Sequence, residues 1–228
     1  MLTTSDLRIV PAGDAALLIE LPARIDPAVS GRAVALAKAV KARCGAVARD
    51  VVVGYCSVTV YFDPLQVDAA ALEDELRQAA QGLPDHTERE GAPIDVGVCY
   101  GGTYGPDLGE VAAFARATEK EVIALHIAVT YRVYVVGFVP GFPYMAGVDP
   151  RLAVPRRATP RTRVPAGSVA IAAGQTGIYP IETPGGWHLI GRTRVKPYDE
   201  SRAQPFLFKP GDRVRFHSLD PGEFERAT

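Results

Sequence analysis

Five polar side chains lie among glycines between residues 172 and 193: Gln175, Thr176, Tyr179, His188 and Arg192. Glycine lets a ligand or another backbone approach closely, so these side chains are candidates to contact a small molecule. His188 is a candidate general base, because the ordinary pKa of histidine is about 6.5. The alternative is a histidine on the exposed face of a strand, opposite Trp187 and Leu189.

A second candidate segment is aromatic and runs from Gly137 to Tyr144. Phe138, Phe142 and Tyr144 stand among small or rigid residues, which include Pro140 and Gly141. Aromatic rings on a rigid loop can line a flat apolar pocket at little entropic cost. The alternative is that the same rings pack as the core of a loop at a barrel mouth.

A third segment is rich in arginine, with Arg151, Arg156, Arg157, Arg161 and Arg163 close together in sequence. The guanidinium group binds carboxylates and phosphates through two parallel hydrogen bonds, so the segment is a candidate anion site. No acidic residue lies within the run to compensate the charge, although a solvated loop remains the alternative. The glycines of residues 100–108, which lead into a helix, are either a further anion site or a plain tight turn.

Composition excludes several functions for the chain. Its 228 residues include 25 basic and 26 acidic side chains, a net charge of −1, so there is no basic surplus to drive nucleic-acid binding. The charge is uneven, because residues 137–198 carry eight basic and two acidic side chains, a net +6. Three widely spaced cysteines predict a reducing compartment rather than a disulfide framework. Without a signal-like N-terminus or an apolar run of about 20 residues, we expect a soluble cytoplasmic protein.

Common enzyme signatures are missing from the sequence. There is no phosphate-binding G-x-x-x-x-G-K-[ST] loop, no G-x-S-x-G elbow and no Cys-x-x-Cys pair. The four histidines have no metal-ligand spacing, so we predict no metal site. The chain by itself is therefore a poor candidate for a complete hydrolase.

The elements that position these segments are predicted to form two domains, residues 1–85 and 86–228. The first domain reads as strands near 7–10, 16–21, 47–53 and 58–62, with helices from Pro27 to Gly45 and over 68–81. This ββαββα order predicts an α+β unit with two helices on one side of a small sheet. A polar, breaker-rich stretch over 82–91 marks the linker.

The second domain is predicted to be mostly β. A strand near 94–100 precedes helices over 106–116 and from the capping box at Thr118 and Glu121 to about 129. Further strands near 131–136, 168–172, 187–190 and 213–216 alternate with turn signals. Short strands at such spacing predict a closed or half-closed barrel.

The ordered motifs of this second domain resemble the family of 5-oxoprolinase B-subunits. They are GFVPGFPY from Gly137, PRR from Pro155, PR from Pro160, VPAGSV from Val164, GQTGIYP from Gly174 and PGGWHLIGRT from Pro184, with YGGTYGPDL from Tyr100 and EVIALH from Glu121. The family includes a sporulation kinase inhibitor, KipI, and the proteins once called allophanate hydrolase subunit 1. The resemblance covers most of 94–216 closely and 5–80 more loosely.

The resemblance implies a small α/β N-terminal domain and a cyclophilin-like β-barrel. It implies partners as well: a homologous barrel protein, the 5-oxoprolinase C-subunit, and a third protein, the A-subunit, which together hydrolyse 5-oxo-L-proline to L-glutamate with ATP. ATP, with Mg²⁺, then binds at a site that a partner can share. The alternatives are a KipI-like inhibitor of a sensor histidine kinase, or one component of an amidohydrolase that acts on urea derivatives such as allophanate.

On this interpretation the predicted catalytic residues are Gln175, Arg192 and His188, and the histidine is the weakest of the three because the family pattern does not require it. The aromatic segment is expected to hold the substrate ring, and the arginine-rich loop its carboxylate or a phosphate. The predicted substrate-binding residues are Phe138, Pro140, Gly141, Phe142, Tyr144, Arg156, Arg161, Thr176, Tyr179 and Trp187.

Overall fold

The computed structural model describes residues 7–81, 83 and 92–226. The chain divides into two compact units, Met1–Glu90 and Gly91–Thr228. The predicted linker over 82–91, with its domain boundary between residues 85 and 86, falls almost wholly outside the described residues, so it stays a prediction. No helix among the described residues is both long enough and apolar enough to cross a bilayer.

The first unit has the predicted ββαββα order. Its elements are β1 (Arg8–Pro11), β2 (Ala16–Glu20), α1 (Pro27–Cys44), β3 (Ala48–Val53), β4 (Ser57–Phe62) and α2 (Ala69–Ala79). The strands form an antiparallel sheet in the order β1-β2-β4-β3. Alternate β4 residues, Val58, Val60 and Phe62, are buried in one cluster with the apolar faces of both helices.

Local sequence explains where the helices of this unit begin. The Asp26 carboxylate accepts hydrogen bonds from the backbone N–H groups of Ala28 and Val29, and Pro27 occupies the first turn of α1. These contacts satisfy or remove amide donors that the helix itself leaves unpaired. Gly45 ends the helix as predicted, but with a right-handed φ of −60° instead of the left-handed turn that favours glycine.

The second unit is built on a closed barrel of seven strands. They are β5 (Ile94–Tyr100), β6 (Thr130–Val136), β7 (Pro143–Ala146), β9 (Ser168–Ala172), β10 (Gln175–Ile178), β12 (His188–Arg192) and β13 (Arg213–Ser218). Their order around the barrel is β10-β7-β6-β13-β5-β12-β9. The predicted α+β class with a closed barrel is confirmed.

The remaining elements lie against this barrel unit. They are α3 (Leu108–Ala115), α4 (Glu119–Ile127), α5 (Pro221–Arg226), a short 3₁₀ turn (Pro150–Leu152) and a two-stranded ribbon of β8 (Arg161–Val164) with β11 (Thr183–Gly185). The predicted capping box of α4 is present, because the Thr118 side chain and the Glu121 carboxylate each bond the other residue's backbone N–H. One apolar core joins residues of all seven barrel strands to α3 and α4.

Strand β9 is buried on both faces, which explains where a second core forms. Val169 and Ile171 belong to the main core, whereas Ala170 and Ala172 belong to a smaller cluster that contains Phe142, Tyr179 and Trp187. Side chains alternate across a strand, so the two clusters lie on opposite sides of β9. The aromatic residues singled out in the sequence therefore gather beside the barrel wall and not within the main core.

Candidate functional site

An aromatic cavity of about 290 Å³ lies next to this smaller cluster. It brings together six of the predicted site residues: Phe138, Phe142, Tyr144, Arg156, Tyr179 and Trp187. Its wall also includes Arg157, Pro160, Pro184, Gly185 and Gly186. The volume is just below the roughly 300–1,000 Å³ of ordinary ligand pockets, which suits a compound smaller than a typical drug.

Two tight turns hold the aromatic segment. The N–H of Val139 bonds the carbonyl of Gly137 at 2.9 Å around Phe138, whose φ is +67°. This is a γ-turn with a residue in the strained left-handed region. The N–H of Phe142 then bonds the carbonyl of Val139 at 3.1 Å, in a turn with Gly141 at φ +87°. The strained turn leaves Phe138 62% exposed at the cavity.

Pro140 and Gly141 serve this turn and do not line the cavity. Gly141 is buried, and a Cβ there would lie 2.7 Å from Cβ of Tyr198. Glycine is therefore required both by φ and by close packing. These two predicted substrate-binding residues shape the segment without facing the cavity.

The rings of the cavity pack edge to face. Phe142 lies 5.5 Å from Trp187 at 90° and 5.0 Å from Tyr179 at 77°, measured between ring centroids. Tyr144 lies 5.8 Å from Trp187. Such T-shaped pairs contribute about 0.5–1.5 kcal/mol each beyond the burial of their area, so the wall is rigid.

Two tyrosine hydroxyls and Arg156 supply the polar groups of the cavity, because Arg157, which also lines it, is bound to Asp107 and Glu110. Burial raises the pKa of Tyr144 and of Tyr179, so both phenols stay protonated and can donate at neutral pH. Arg156 is exposed, and its charge acts against the rise of both pKa values. It has no carboxylate partner within 4 Å among the described residues.

The other four arginines of the arginine-rich segment are paired with carboxylates. Arg151 pairs with Asp149, and Arg163 with Glu182. Arg161 binds both carboxylate oxygens of Asp107, at 2.8 and 2.6 Å. The anion-binding role predicted for Arg161 is therefore corrected, because its guanidinium already holds a protein carboxylate and does not line the cavity.

Asp107 is the centre of a buried charge network that sequence reasoning missed. It is 2% exposed and also accepts hydrogen bonds from Arg157 at 3.0 Å and from the backbone N–H of Leu189 at 2.7 Å. Arg157 contacts Glu110 in addition, at 2.9 Å. The glycine-rich segment of residues 100–108 is the tight turn that delivers Asp107 to this position, with the N–H of Gly105 bonded to the carbonyl of Gly101.

His188 belongs to the edge of the same network. Its Nε2 lies 3.1 Å from the carbonyl of Pro155, and its Nδ1 lies 3.4 Å from a Glu110 carboxylate oxygen. It is buried, so the alternative of an exposed strand histidine is wrong. It does face away from Trp187 and Leu189, which share the aromatic cluster, and it does not line the cavity.

The other two predicted catalytic residues lie elsewhere. Arg192 is four residues beyond His188 on β12, so their Cα atoms are up to about 13 Å apart at 3.3 Å per residue. It lines a second cavity of about 340 Å³ with Tyr104, Arg194, Lys196 and Phe224. Gln175 pairs with Ala146 and Ala172 on β10 and lines neither cavity. The structure does not bring the predicted catalytic trio together.

Thr176 is part of the barrel core rather than the site. Its hydroxyl donates to the carbonyl of Ala170 and lies 3.0 Å from Nε2 of His126, which therefore donates to it. The other nitrogen, Nδ1, accepts from Tyr100 at 2.8 Å. Burial lowers the pKa of His126 to about 3, so this ring is neutral. The substrate-binding role predicted for Thr176 is corrected on this ground.

Comparison with known proteins gives the family. Residues 7–208 match the family described as carboxyltransferase domain, subdomain C and D. The chain is 40% identical over 210 residues to the 5-oxoprolinase B-subunit of Haemophilus influenzae, with 92% of this chain and 97% of that protein covered. It is 35% identical over 227 residues to the 5-oxoprolinase B-subunit of Bacillus subtilis, with 95% of each covered.

Solved structures agree with this assignment. The crystal structure of TTHA0988 has a TM-score of 0.81 and 39% identity, over 90% of this chain and 40% of that one, so this chain spans less than half of it. Protein PH0987 from Pyrococcus horikoshii has a TM-score of 0.57 and 38% identity, over 95% and 100%. The chain belongs to the carboxyltransferase subdomain C and D family, and within it to the 5-oxoprolinase B-subunits.

Proposed function

We propose that this chain is a subunit of an ATP-dependent 5-oxoprolinase, and that its aromatic cavity receives 5-oxo-L-proline. The observation that carries the proposal is a small cavity with an aromatic wall and one arginine without a carboxylate partner among the described residues. The relatives named as 5-oxoprolinase B-subunits support the choice of substrate.

The chemistry of the cavity matches this substrate. A five-membered lactam is flat and mostly apolar, and it fits against the edge-to-face rings of Phe142 and Trp187. Its carboxylate is an anion that Arg156 can bind with a charge-assisted hydrogen bond. The protonated hydroxyls of Tyr144 and Tyr179 can donate to the lactam carbonyl and orient it.

The reaction opens the ring by breaking the bond between the carbonyl carbon and the ring nitrogen, with water adding to the carbon. ATP supplies the activation of the lactam carbonyl, which is otherwise a poor electrophile. We propose that ATP and Mg²⁺ bind at a site shared with the A- and C-subunits. Among the described residues, no three His, Cys, Asp or Glu side chains lie close enough together to hold a metal ion. This chain's contribution is to bind the ring, orient its carbonyl and exclude bulk water.

The first experiment is a coupled glutamate assay. ATP and 5-oxoproline are supplied to the chain alone and to the chain co-expressed with the A- and C-subunits. Glutamate formed by the assembled set, and absent without ATP, is the expected result. An assembled complex that forms no glutamate refutes the proposal.

A second experiment tests the cavity itself with a matched pair of variants. Arg156→Ala removes the free guanidinium, whereas Arg163→Ala removes an exposed one that is paired with Glu182. A charge-assisted hydrogen bond contributes about 1.5–3 kcal/mol, so Arg156→Ala should raise the KM for 5-oxoproline roughly ten- to hundredfold. Arg163→Ala should leave it unchanged; equal effects of the two variants contradict the role of Arg156.

Trp187 gives a direct readout of binding, because it is the single tryptophan of the sequence and lines the cavity. Adding 5-oxoproline should change its fluorescence in the wild type and in Arg163→Ala, and much less in Arg156→Ala. This measurement separates failed binding from failed assembly.

Membership of an amidohydrolase complex that acts on urea derivatives is a second candidate function. A putative urea carboxylase of Emericella nidulans is 29% identical over 54% of this chain, although the match covers 11% of that protein. Allophanate offered to the same assembled complex decides between the two substrates.

A further inference from the structure

The second cavity of the barrel unit is cationic and separate from the aromatic one. Arg192, Arg194 and Lys196 line it, with Tyr104 and Phe224 as its aromatic wall. No acidic side chain is among the described residues that line its roughly 340 Å³. Three positive charges around one small cavity repel each other unless an anion joins them.

The protein compensates these three charges unequally. Lys196 has a carboxylate partner, Asp199, at 3.5 Å. Arg194 donates from Nε to the carbonyl of Phe224 at 3.3 Å and stacks over that ring. Arg192 lies over the Tyr104 ring, 5.7 Å from its centroid, and has no carboxylate partner within the part of the chain that the structure describes.

Arg192 also has an unmet hydrogen-bond donor. Its Nε atom is shielded from solvent and has no hydrogen-bond partner among the described residues. The Nε atoms of Arg157 and Arg202 are unpartnered in the same way, so the argument for a ligand rests on the charge of Arg192, which no carboxylate of the described residues balances beside the cavity. Glu225 lies 3.4 Å from the Tyr104 hydroxyl, but it does not line the cavity.

The backbone behind Arg192 is held rigidly. The N–H of Thr193 bonds the carbonyl of Gly167 at 2.9 Å, and the N–H of Gly167 bonds the carbonyl of Tyr179 at 2.7 Å. Gly167 has a φ of +78°, and a Cβ there would lie 2.3 Å from the carbonyl oxygen of Thr193. Such support preorganises the cations before any ligand arrives.

We propose that this cavity is an oxyanion site of the phosphate class, in which Arg192 is the principal ligand and Arg194 and Lys196 complete the positive field. Phosphate offers several acceptor oxygens and up to two negative charges, which match one guanidinium fork and two further cations. The volume and the aromatic wall leave room for a phosphoryl group attached to a larger body. This inference goes beyond the proposed function, because it depends neither on Arg156 nor on the aromatic cavity.

The test is calorimetric titration of the full chain with inorganic phosphate at constant ionic strength. Arg192→Gln should weaken phosphate binding at least tenfold, and Arg194→Ala, at an exposed side chain, severalfold. The matched control Arg163→Ala removes the same charge from an exposed ion pair and should change the dissociation constant less than twofold. If Arg192→Gln does not fold, the dissociation constants of Arg194→Ala and Arg163→Ala for phosphate are compared instead, and only the first should rise.

Competition identifies the source of the phosphate group. Displacement of inorganic phosphate by ATP or ADP assigns the site to a nucleotide, whereas phosphate that nucleotides do not displace assigns it to the free ion. Wild-type binding weaker than about 10 mM, or equal weakening by Arg192→Gln and Arg163→Ala, overturns the proposal.

Discussion

Asp107 should be the most sensitive polar position of the barrel unit. Its 2% exposed carboxylate accepts two hydrogen bonds from Arg161, one from Arg157 and one from the backbone N–H of Leu189. Asp107→Asn keeps the size of the side chain but removes its charge and turns one acceptor into a donor. Arg161 then loses its carboxylate partner, whereas Arg157 keeps only the exposed Glu110.

The cost can be worked out from the exposure of the partners. Removing one member of a fully buried ion pair costs about 3–5 kcal/mol, mainly because the other charge is left uncompensated. The Arg157 and Arg161 side chains are 25% and 27% exposed, so water screens part of that cost. We expect Asp107→Asn to lower the free energy of unfolding by roughly 3 kcal/mol, or about 6–12 °C in Tm.

The control is Glu110→Gln, which removes another carboxylate bound to Arg157. Its side chain is 58% exposed, so its loss should cost less than about 1 kcal/mol. Urea unfolding followed by circular dichroism and by Trp187 fluorescence measures both variants, the latter probe reporting the barrel unit. A double variant with Arg161→Gln should lose at least about 1 kcal/mol less than the sum of the single losses.

A loss in Asp107→Asn no larger than that in Glu110→Gln would refute the reasoning. So would strict additivity of Asp107→Asn and Arg161→Gln, since residues that form one network must couple. Either result would mean that the network contributes little to the stability of the fold.

Three further predictions concern the barrel unit. Burial lowers the pKa of His126 to about 3 in the folded protein, so below the unfolded value of about 6.5 only the unfolded chain gains a proton. The free energy of unfolding then falls by about 1.4 kcal/mol per pH unit as the pH decreases. His126→Gln should flatten the dependence of this free energy on pH, measured by urea unfolding between pH 7 and 5; equal slopes for wild type and variant would contradict this. A Cβ at position 105 would lie 2.1 Å from the carbonyl oxygen of Ile190, so Gly105→Ala should cost about 1–3 kcal/mol by urea unfolding; Gly186→Ala, with 3.5 Å to its nearest neighbour, should cost far less. Phe138→Gly removes the strain of a φ of +67° but increases the conformational entropy of the unfolded chain, so its free energy of unfolding should stay within about 1 kcal/mol of the wild type. The same variant should weaken 5-oxoproline binding; a large loss of stability would instead make Phe138 a packing residue.

The local devices of the fold were predictable because they act between neighbours in sequence. The cap at Asp26, the capping box of Thr118 with Glu121 and the apolar stripe of α1 all follow from spacings of four residues or fewer. The barrel class also followed, from short β segments separated by turns. Four strands, β7, β8, β10 and β11, were not predicted, because each is only three or four residues long, too short to show an alternating pattern, and is held by pairing across the barrel and the ribbon.

The candidate site was predictable in part for the same reason. Phe138, Phe142, Tyr144, Tyr179 and Trp187, all predicted to bind substrate, do line one cavity, while their role in binding stays a prediction. The structure does not group Gln175, His188 and Arg192: His188 and Arg192 lie at opposite ends of β12, and Gln175 lies on β10 and lines neither cavity. Arg194 and Lys196 were missed, although their positive charge beside Arg192 was visible in the sequence.

The sequence by itself determined the family, the fold class and the positive charge of residues 137–198. Only the tertiary structure decided which of those charges are free. Within the arginine-rich segment no acid compensates the arginines, yet Asp107 and Glu182 arrive from 54 and 19 residues away and bind Arg161 and Arg163. Ion pairing depends on distance through space, which chain folding sets and sequence spacing does not. Of the eight cations of residues 137–198, Arg156, Arg192 and Arg194 therefore have no carboxylate partner among the described residues.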